Sequence, residues 1–188
     1  MVESILVATD GSDDAGAAER TGIALAARLR ARLAGLTVIE SDRVSPPGTA
    51  GLELPAFPES ELASFYRARA EAVSRRFAER ARAEGVEATC EVASGEADDI
   101  IVERAAGFDL LVIGRDGAPG GAPRTLIGST TDGVIRKTSR STIVVPSGAP
   151  LSGPLVLGFD GSPGSRIAAK VAVSLANGLN EGVHVFVD

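Results

Sequence analysis

An apolar segment of this chain runs directly into a glycine-rich stretch that can carry chemistry. Asp109–Gly114 reads as a buried strand, Gly117 follows it, and Gly128-Ser129-Thr130 reads as the start of a helix. In a parallel α/β sheet, such a loop brings free backbone N–H groups and the positive end of a helix dipole to a phosphate. The spacing therefore indicates a site for a phosphorylated ligand. A tight strand-to-helix connection that binds nothing is the alternative.

A carboxylate follows the first predicted strand in a similar way. The apolar run Ile5–Ala8 ends at Thr9-Asp10-Gly11-Ser12, which reads as a turn into a helix. Carboxyl ends of parallel strands meet at one edge of a sheet, so the Asp10 carboxylate could reach the same ligand. A turn or capping carboxylate is the other reading, and both stay open. Ser12 is expected to be a helix N-cap and not a nucleophile.

The residues that a serine hydrolase or a multi-cysteine metal site would need are missing from the sequence. The one histidine, His184, lies on a late predicted strand, where a structural role is expected, so Ser12 lacks a general base. Cys90 is the one cysteine, and burial is expected of it. A single cysteine rules out an internal disulfide and a multi-cysteine metal site. The chain also lacks the G-x4-G-K-[ST] loop, so we expect a binding protein and not an enzyme.

Strands and helices alternate along the chain, which predicts a mostly parallel sheet with helices on both faces. The first predicted helix carries an apolar stripe at Leu25, Leu29 and Leu33. The predicted strands are Ile5–Ala8, Leu36–Ile39, Val86–Val92, Asp109–Gly114 and Thr142–Val145, and the later helices are Glu59–Glu84, Glu96–Ala106 and Ser129–Arg140. Ser41–Ser60, rich in proline and glycine, is expected to be a long loop or lid.

The opening of the chain returns near its end. Leu155–Asp160 parallels Ile5–Asp10 at an offset of 150 residues, and Asp160-Gly161-Ser162 repeats the turn. The apolar helix positions repeat at the same offset, and Val183–Val187 matches the second strand. We therefore expect a tandem repeat: a domain at 1–146, a linker at 147–154, and a partial β-α-β repeat at 155–188. Left alone, the partial repeat would expose apolar sheet, so we expect it to dock on a neighbouring chain or to be part of a longer protein.

Composition and charge narrow the class of protein further. Of the 188 residues, 44% are hydrophobic and 23% are charged, as in globular domains. The net charge of −6 argues against nonspecific nucleic-acid binding, which needs a basic face. The first residues lack a basic segment followed by an apolar core, and no apolar run is long enough to span a bilayer. A cytoplasmic location is expected, without a membrane partner.

Taken in order, these segments resemble the universal stress protein family. The resemblance covers essentially Ser4–Pro146: the opening strand with its Asp-Gly-Ser turn, the strand Asp109–Gly114, the glycine loop, and the closing Ile143-Val144-Val145-Pro146. It implies a five-stranded parallel sheet of order 3-2-1-4-5 with a cleft between the first and fourth strands. It also implies a homodimer and a stress-response module that binds ATP, with or without Mg²⁺.

The resemblance also assigns residues to the ligand. Val38 would offer backbone groups to the adenine edge, Asp10 would bind the ribose or a metal-bound water, and Arg115 and Arg124 would offset phosphate charge. The full set is Ala8, Thr9, Asp10, Val38, Ile113, Gly114, Arg115, Gly117, Arg124, Gly128, Ser129 and Thr130.

The loop departs from the family pattern at one point. Nucleotide-binding members follow G-x2-G-x9-G-S/T, whereas ten residues separate Gly117 from Gly128 here. The insert also contains Pro119 and Pro123, which have no N–H to offer a phosphate. The alternative function is therefore a nucleotide-free universal stress protein that serves as a dimeric scaffold.

Overall fold

A computed structural model describes residues 2–40, 59–115, 127–150 and 152–188 of the chain. Strands and helices alternate through these residues as the sequence predicts. In chain order the elements are β1 (Ser4–Ala8), α1 (Asp13–Leu29), β2 (Arg32–Ile39), α2 (Glu59–Ala83), β3 (Ala88–Ser94), α3 (Ala97–Ala105), β4 (Leu110–Gly114), α4 (Ser129–Lys137), β5 (Ser141–Val145), β6 (Leu155–Phe159), α5 (Pro163–Leu179) and β7 (Val183–Val187).

The first five strands form one parallel sheet of order β3-β2-β1-β4-β5, which confirms the predicted fold class and strand order. The centre of the sheet is β1, where Leu6 pairs with Ala34 on β2 and with Leu111 on β4. The strand order reverses between β1 and β4. In open α/β sheets, ligands bind at the carboxyl ends of the strands at such a point.

Both faces of this sheet are covered, because β1 and β4 are buried along their whole length. On one face, Ile5 and Val7 pack with α1 and with Phe77 and Ala81 of α2. On the opposite face, the alternate strand residues pack with Ile101 and Ala105 of α3 and with Val134 of α4. Alternation of side chains along a strand produces these two separate cores.

The predicted apolar stripe of the first helix is wrong at its last member. Helix α1 ends at Leu29, and Arg30 takes a left-handed conformation with φ of 55°. Leu33 is a buried residue of β2, which begins earlier than predicted, at Arg32. The spacing of four fits a helix, but it cannot show that a single left-handed residue has already closed it. Helix α4 also stops at Lys137, before the predicted Arg140.

The partial repeat forms a parallel two-stranded sheet, β6 with β7, which α5 covers on one side. Helix α5 packs on α1 of the same chain: Leu175 joins the core cluster of α1, and Gly178 lies against Leu29. The Val2 N–H also donates to Ser174 Oγ at 3.3 Å. Part of the apolar surface is therefore covered from within the chain, and docking on a neighbouring chain stays a prediction.

The predicted lid Ser41–Ser60 lies outside the described residues apart from its last two, which begin α2. Among the helices of the described ranges, none combines the length and the apolar character needed to cross a bilayer.

Candidate functional site

The ends of β1, β2 and β4 bring the predicted ligand residues to one edge of the sheet. Ala8 and Ile113, at the ends of neighbouring strands, are both buried, so their side chains serve the core. The Val38 side chain is half-buried and packs on the same core cluster, which leaves its backbone for a ligand. Asp10 is exposed beyond the end of β1. The carboxylate of Asp10 is thus the most accessible of these groups.

The turn after β1 shapes itself through its own side chains. Asp10 Oδ1 accepts the Ser12 N–H at 2.9 Å, and Ser12 Oγ accepts the Ala15 N–H at 3.2 Å. Ser12 is therefore the N-cap of α1, as predicted. Gly11 has φ of +75°, and a Cβ there would lie 2.5 Å from Val73 Cγ2 on α2. The turn therefore needs glycine at this position for both reasons. The second carboxylate oxygen of Asp10 has no hydrogen-bond donor among the described residues.

The described part of the glycine loop is held to the sheet by backbone hydrogen bonds. Arg115 N–H donates to Val145 O at 2.8 Å, and Gly128 N–H donates to Arg115 O at 2.9 Å. The Gly128 amide is therefore already engaged and is not free for a phosphate. Gly117 and Arg124, which sequence reasoning also assigned to the ligand, lie outside the described residues.

The amides that remain for an anion lie at the start of α4. Within the described ranges, the N–H groups of Ser129 and Thr130 have no acceptor, as expected in the first turn of a helix. Sequence reasoning missed the residue that places this turn: Thr131 is buried, and its Oγ1 donates to Gly114 O at 2.7 Å. The hydrogen bond ties the start of α4 to the end of β4. The sequence signal that could have found Thr131 is a hydroxyl side chain in the first turn of the predicted helix.

The body of α4 is fixed to α3 by charge. Lys137 Nζ contacts Asp98 Oδ2 and Asp99 Oδ1, both at 2.7 Å. The hydrogen bond from Lys137 lowers the pKa of Asp98, and the two carboxylates raise the pKa of Lys137. Gly133 permits this approach, since a Cβ there would lie 2.2 Å from Asp98 Oδ2. These contacts join the last turn of α4 to the first turn of α3.

Sequence reasoning also missed a buried carboxylate beside the turn. Glu19 of α1 is only 2% exposed; its Oε1 accepts the Thr9 hydroxyl at 2.6 Å, and its Oε2 pairs with Arg80 of α2. Thr9 Oγ1 in turn accepts the Gly11 N–H at 3.2 Å, while the Thr9 N–H donates to Leu36 O at 2.9 Å. The Thr9 side chain and amide are therefore engaged within the protein. The sequence signal that could have found Glu19 is its charge within the alanine- and glycine-rich first half of α1.

The remaining residues with possible chemistry lie apart from this edge. Cys90 is half-buried on β3, and burial raises the pKa of its thiol. His184 is exposed on β7. In the part of the chain that the structure describes, no cluster of three or more histidine, cysteine or acidic residues could hold a metal ion.

Comparison with known proteins agrees with this architecture. A universal stress protein in complex with cAMP is 28% identical, with a TM-score of 0.55, over 78% of this chain and 98% of that chain. A universal stress protein from Archaeoglobus fulgidus is 17% identical, with a TM-score of 0.77, over 98% of this chain and 66% of that chain. A family member from Arabidopsis thaliana with AMP bound is 16% identical, with a TM-score of 0.52, over 78% and 93%.

The Archaeoglobus protein is longer than this chain, which spans about two thirds of its length. The similarity covers 98% of this chain and therefore includes β6, α5 and β7. No curated protein sequence matches the chain. The profile of the universal stress protein family matches residues 1–146, which contain the five-stranded sheet and every residue of the candidate site. The chain therefore belongs to the universal stress protein family.

Proposed function

We propose that this universal stress protein binds an adenine nucleotide, ATP or a smaller adenosine phosphate, and acts as a regulatory binding module in a stress response. One observation carries the proposal: Thr131 ties the amide-bearing start of α4 to the end of β4, beside the Asp10 turn at the end of β1. In this proposal a ligand with a sugar and a phosphate contacts both. The universal stress proteins with bound cAMP and AMP support the class of ligand.

The groups divide between the two ends of such a ligand. The free Asp10 oxygen suits a ribose hydroxyl, and the backbone of Val38 suits the adenine edge. The Ser129 and Thr130 amides suit a phosphate, where the helix dipole adds roughly half a positive charge. Arg115 is the cation among the described residues of the glycine loop. Contacts of Gly117 and Arg124 with the phosphates stay predictions.

A magnesium ion is compatible with this arrangement. Mg²⁺ usually keeps several waters and binds through phosphate oxygens and one or two carboxylates. Asp10 is exposed, and one of its oxygens has no donor among the described residues. As the alternative to a ribose hydroxyl, this oxygen could accept from a water bound to the ion. The ion itself would offset the charge of the phosphates.

We propose binding without a catalytic step. A nucleotide that contacts the Asp10 turn and the start of α4 together stabilises the arrangement that holds both in place. It shifts the protein between two states only as far as its affinities for them differ. A cytoplasmic homodimer would be the form that displays such a change to partners. Light scattering with and without nucleotide tests the assembly.

Calorimetric titration with AMP, cAMP and ATP, with and without Mg²⁺, tests the proposal. We expect Kd in roughly the micromolar range for at least one of them. Asp10→Ala should weaken binding roughly tenfold or more, since it removes a charged hydrogen-bond acceptor. Asp160→Ala is the matched control, because Asp160 occupies the same turn in the partial repeat, and we expect unchanged affinity. Absence of heat, with no co-purified nucleotide found by mass spectrometry, would favour the dimeric scaffold instead.

A further inference from the structure

The buried Glu19 carboxylate joins three elements of the fold and is not among the residues assigned to the ligand. Burying a carboxylate is costly unless charged and hydrogen-bonding partners compensate it. Glu19 has both, in Arg80 and the Thr9 hydroxyl. Three elements thus meet in one chain of contacts that runs from α2 through α1 to the end of β1.

We call the contacts from Arg80 through Glu19 to Thr9 the relay. The relay ends on the backbone next to Asp10. Thr9 Oγ1, held by Glu19, accepts the N–H of Gly11, so the residues on both sides of Asp10 are restrained. Gly11 also lies against α2, where its missing Cβ would stand 2.7 Å from Arg76 Nη2. Helix α2 therefore contacts the turn directly as well as through the relay.

The partial repeat shows that neither the helix nor the turn requires the relay. Phe159 replaces Thr9 and Ala169 replaces Glu19 there, yet the turn keeps the same geometry at Gly161, with φ of +75°. A Cβ at Gly161 would meet nothing within 4 Å.

We propose that Glu19 and Arg80 are positioning residues of the nucleotide site, which act through Thr9 to hold the Asp10 turn in its binding geometry. The inference rests on the proposed function. Since the turn adopts its shape without the relay, the relay restrains the turn and does not form it. A restrained binding group loses less entropy when a ligand docks, and affinity rises accordingly.

The test measures affinity for the tightest binder among AMP, cAMP and ATP in a double-mutant cycle. Arg80→Met removes the charge and keeps the length of the side chain, and we expect roughly five- to tenfold weaker binding. In an Asp10→Asn background the same change should alter affinity by less than about twofold, because the group it positions is already impaired. An equal loss in both backgrounds would overturn the positioning role.

Arg104→Met is the matched control, since Arg104 of α3 pairs with Glu91 away from the candidate site. It should leave affinity unchanged; a loss as large as that of Arg80→Met would mean general destabilisation and overturn the proposal. Glu19→Gln gives a second variant should Arg80→Met fold poorly, and we expect it to weaken binding in the same direction. Unchanged affinity in Glu19→Gln or Arg80→Met would also overturn it.

Hydrogen exchange of the Gly11 amide separates this inference from the proposed function, because it needs no ligand. We expect faster exchange in Arg80→Met and Glu19→Gln than in the wild-type chain or Arg104→Met. If the wild type binds no adenine nucleotide, the proposed function fails, and the nucleotide role of the relay fails with it. If the wild type binds and Gly11 exchange is unchanged in both variants, the relay alone is refuted.

Discussion

The two strand–turn–helix segments of this chain have the same local structure in different surroundings. We call residues 4–30 the first copy and residues 155–180 the second copy. Each helix has 17 residues, a serine N-cap and a left-handed residue at its C-terminus, Arg30 or Asn180. In each turn an aspartate accepts the serine N–H at 2.9 Å. Sequence-local hydrogen bonds therefore specify this unit without help from the rest of the fold.

The surroundings decide everything else. Leu6 is 2% exposed and packs in the core cluster that includes residues of α3 and α4, whereas the corresponding Val156 is 69% exposed. The first copy has β4 and α4 beside it and gains a candidate ligand site. The second copy has neither among the described residues. The motif specifies the turn, but its neighbours form the site. Three pairs of variants and one titration can test this difference.

The largest contrast is expected at the paired strand positions. Leu6→Ala should lower the free energy of unfolding by about 3 kcal/mol, since it empties buried volume. Val156→Ala should change it by less than about 0.5 kcal/mol, because the side chain is exposed. Urea denaturation followed by circular dichroism measures both. A large loss at Val156 would contradict this and show that another surface covers the second copy in solution.

The second-largest difference in stability is expected between alanine substitutions at the glycines of the two turns. Gly161→Ala costs about 1 kcal/mol for a side chain at φ of +75°. Gly11→Ala costs about 3 kcal/mol, because the new methyl group also meets the buried Val73. The same denaturation experiment compares the variants. Equal losses would mean that α2 does not press on the first turn.

The serine caps should show no contrast. Ser12→Ala and Ser162→Ala each remove one hydrogen bond to the first helical turn, and each should cost about 1 kcal/mol. Thermal unfolding of the two variants, with the wild type as reference, measures the difference. If the two costs differ by more than about 1 kcal/mol, residues outside the first helical turn contribute to the stability of the cap. That result would contradict a purely local cap.

The smallest expected effect is a titration. The Ser162 hydroxyl, its backbone N–H and Ser165 lower the pKa of Asp160 to about 2. A lowered folded-state pKa means that the contacts stabilise the protein above the unfolded value, and that this contribution is lost as pH falls from about 4 to about 2. NMR titration of the carboxyl group should find the low midpoint, and Ser162→Ala should raise it. A midpoint near 4 in the wild type would contradict the contacts.

Much of the fold follows from the sequence, because the elements have local signals. Alternating apolar runs and helical stripes predicted every strand and helix of the described residues to within a few positions. The error at Leu33 arose because the same residue types suit a helix interior and a buried strand. The division at residues 146 and 155 stays a prediction.

The site was predicted less completely, for a physical reason. Asp10, Gly114 and Ser129 carry recognisable types at recognisable places, so the sequence points to them. Glu19 and Thr131 act through partners far away in the chain, Arg80 and the Gly114 carbonyl. No local pattern records such pairings.

The sequence by itself determined the capped helices and both Asp-Gly-Ser turns, because these rest on hydrogen bonds between residues a few positions apart. It located the strands through their apolar runs, although the pairing of those strands joins distant segments. Only the tertiary structure decided which turn stands beside a glycine loop, which amides remain free for an anion and which copy is buried. Those properties depend on packing between distant segments. Two segments that share a turn motif and a capped helix can therefore have the same local shape and differ in what they are able to bind.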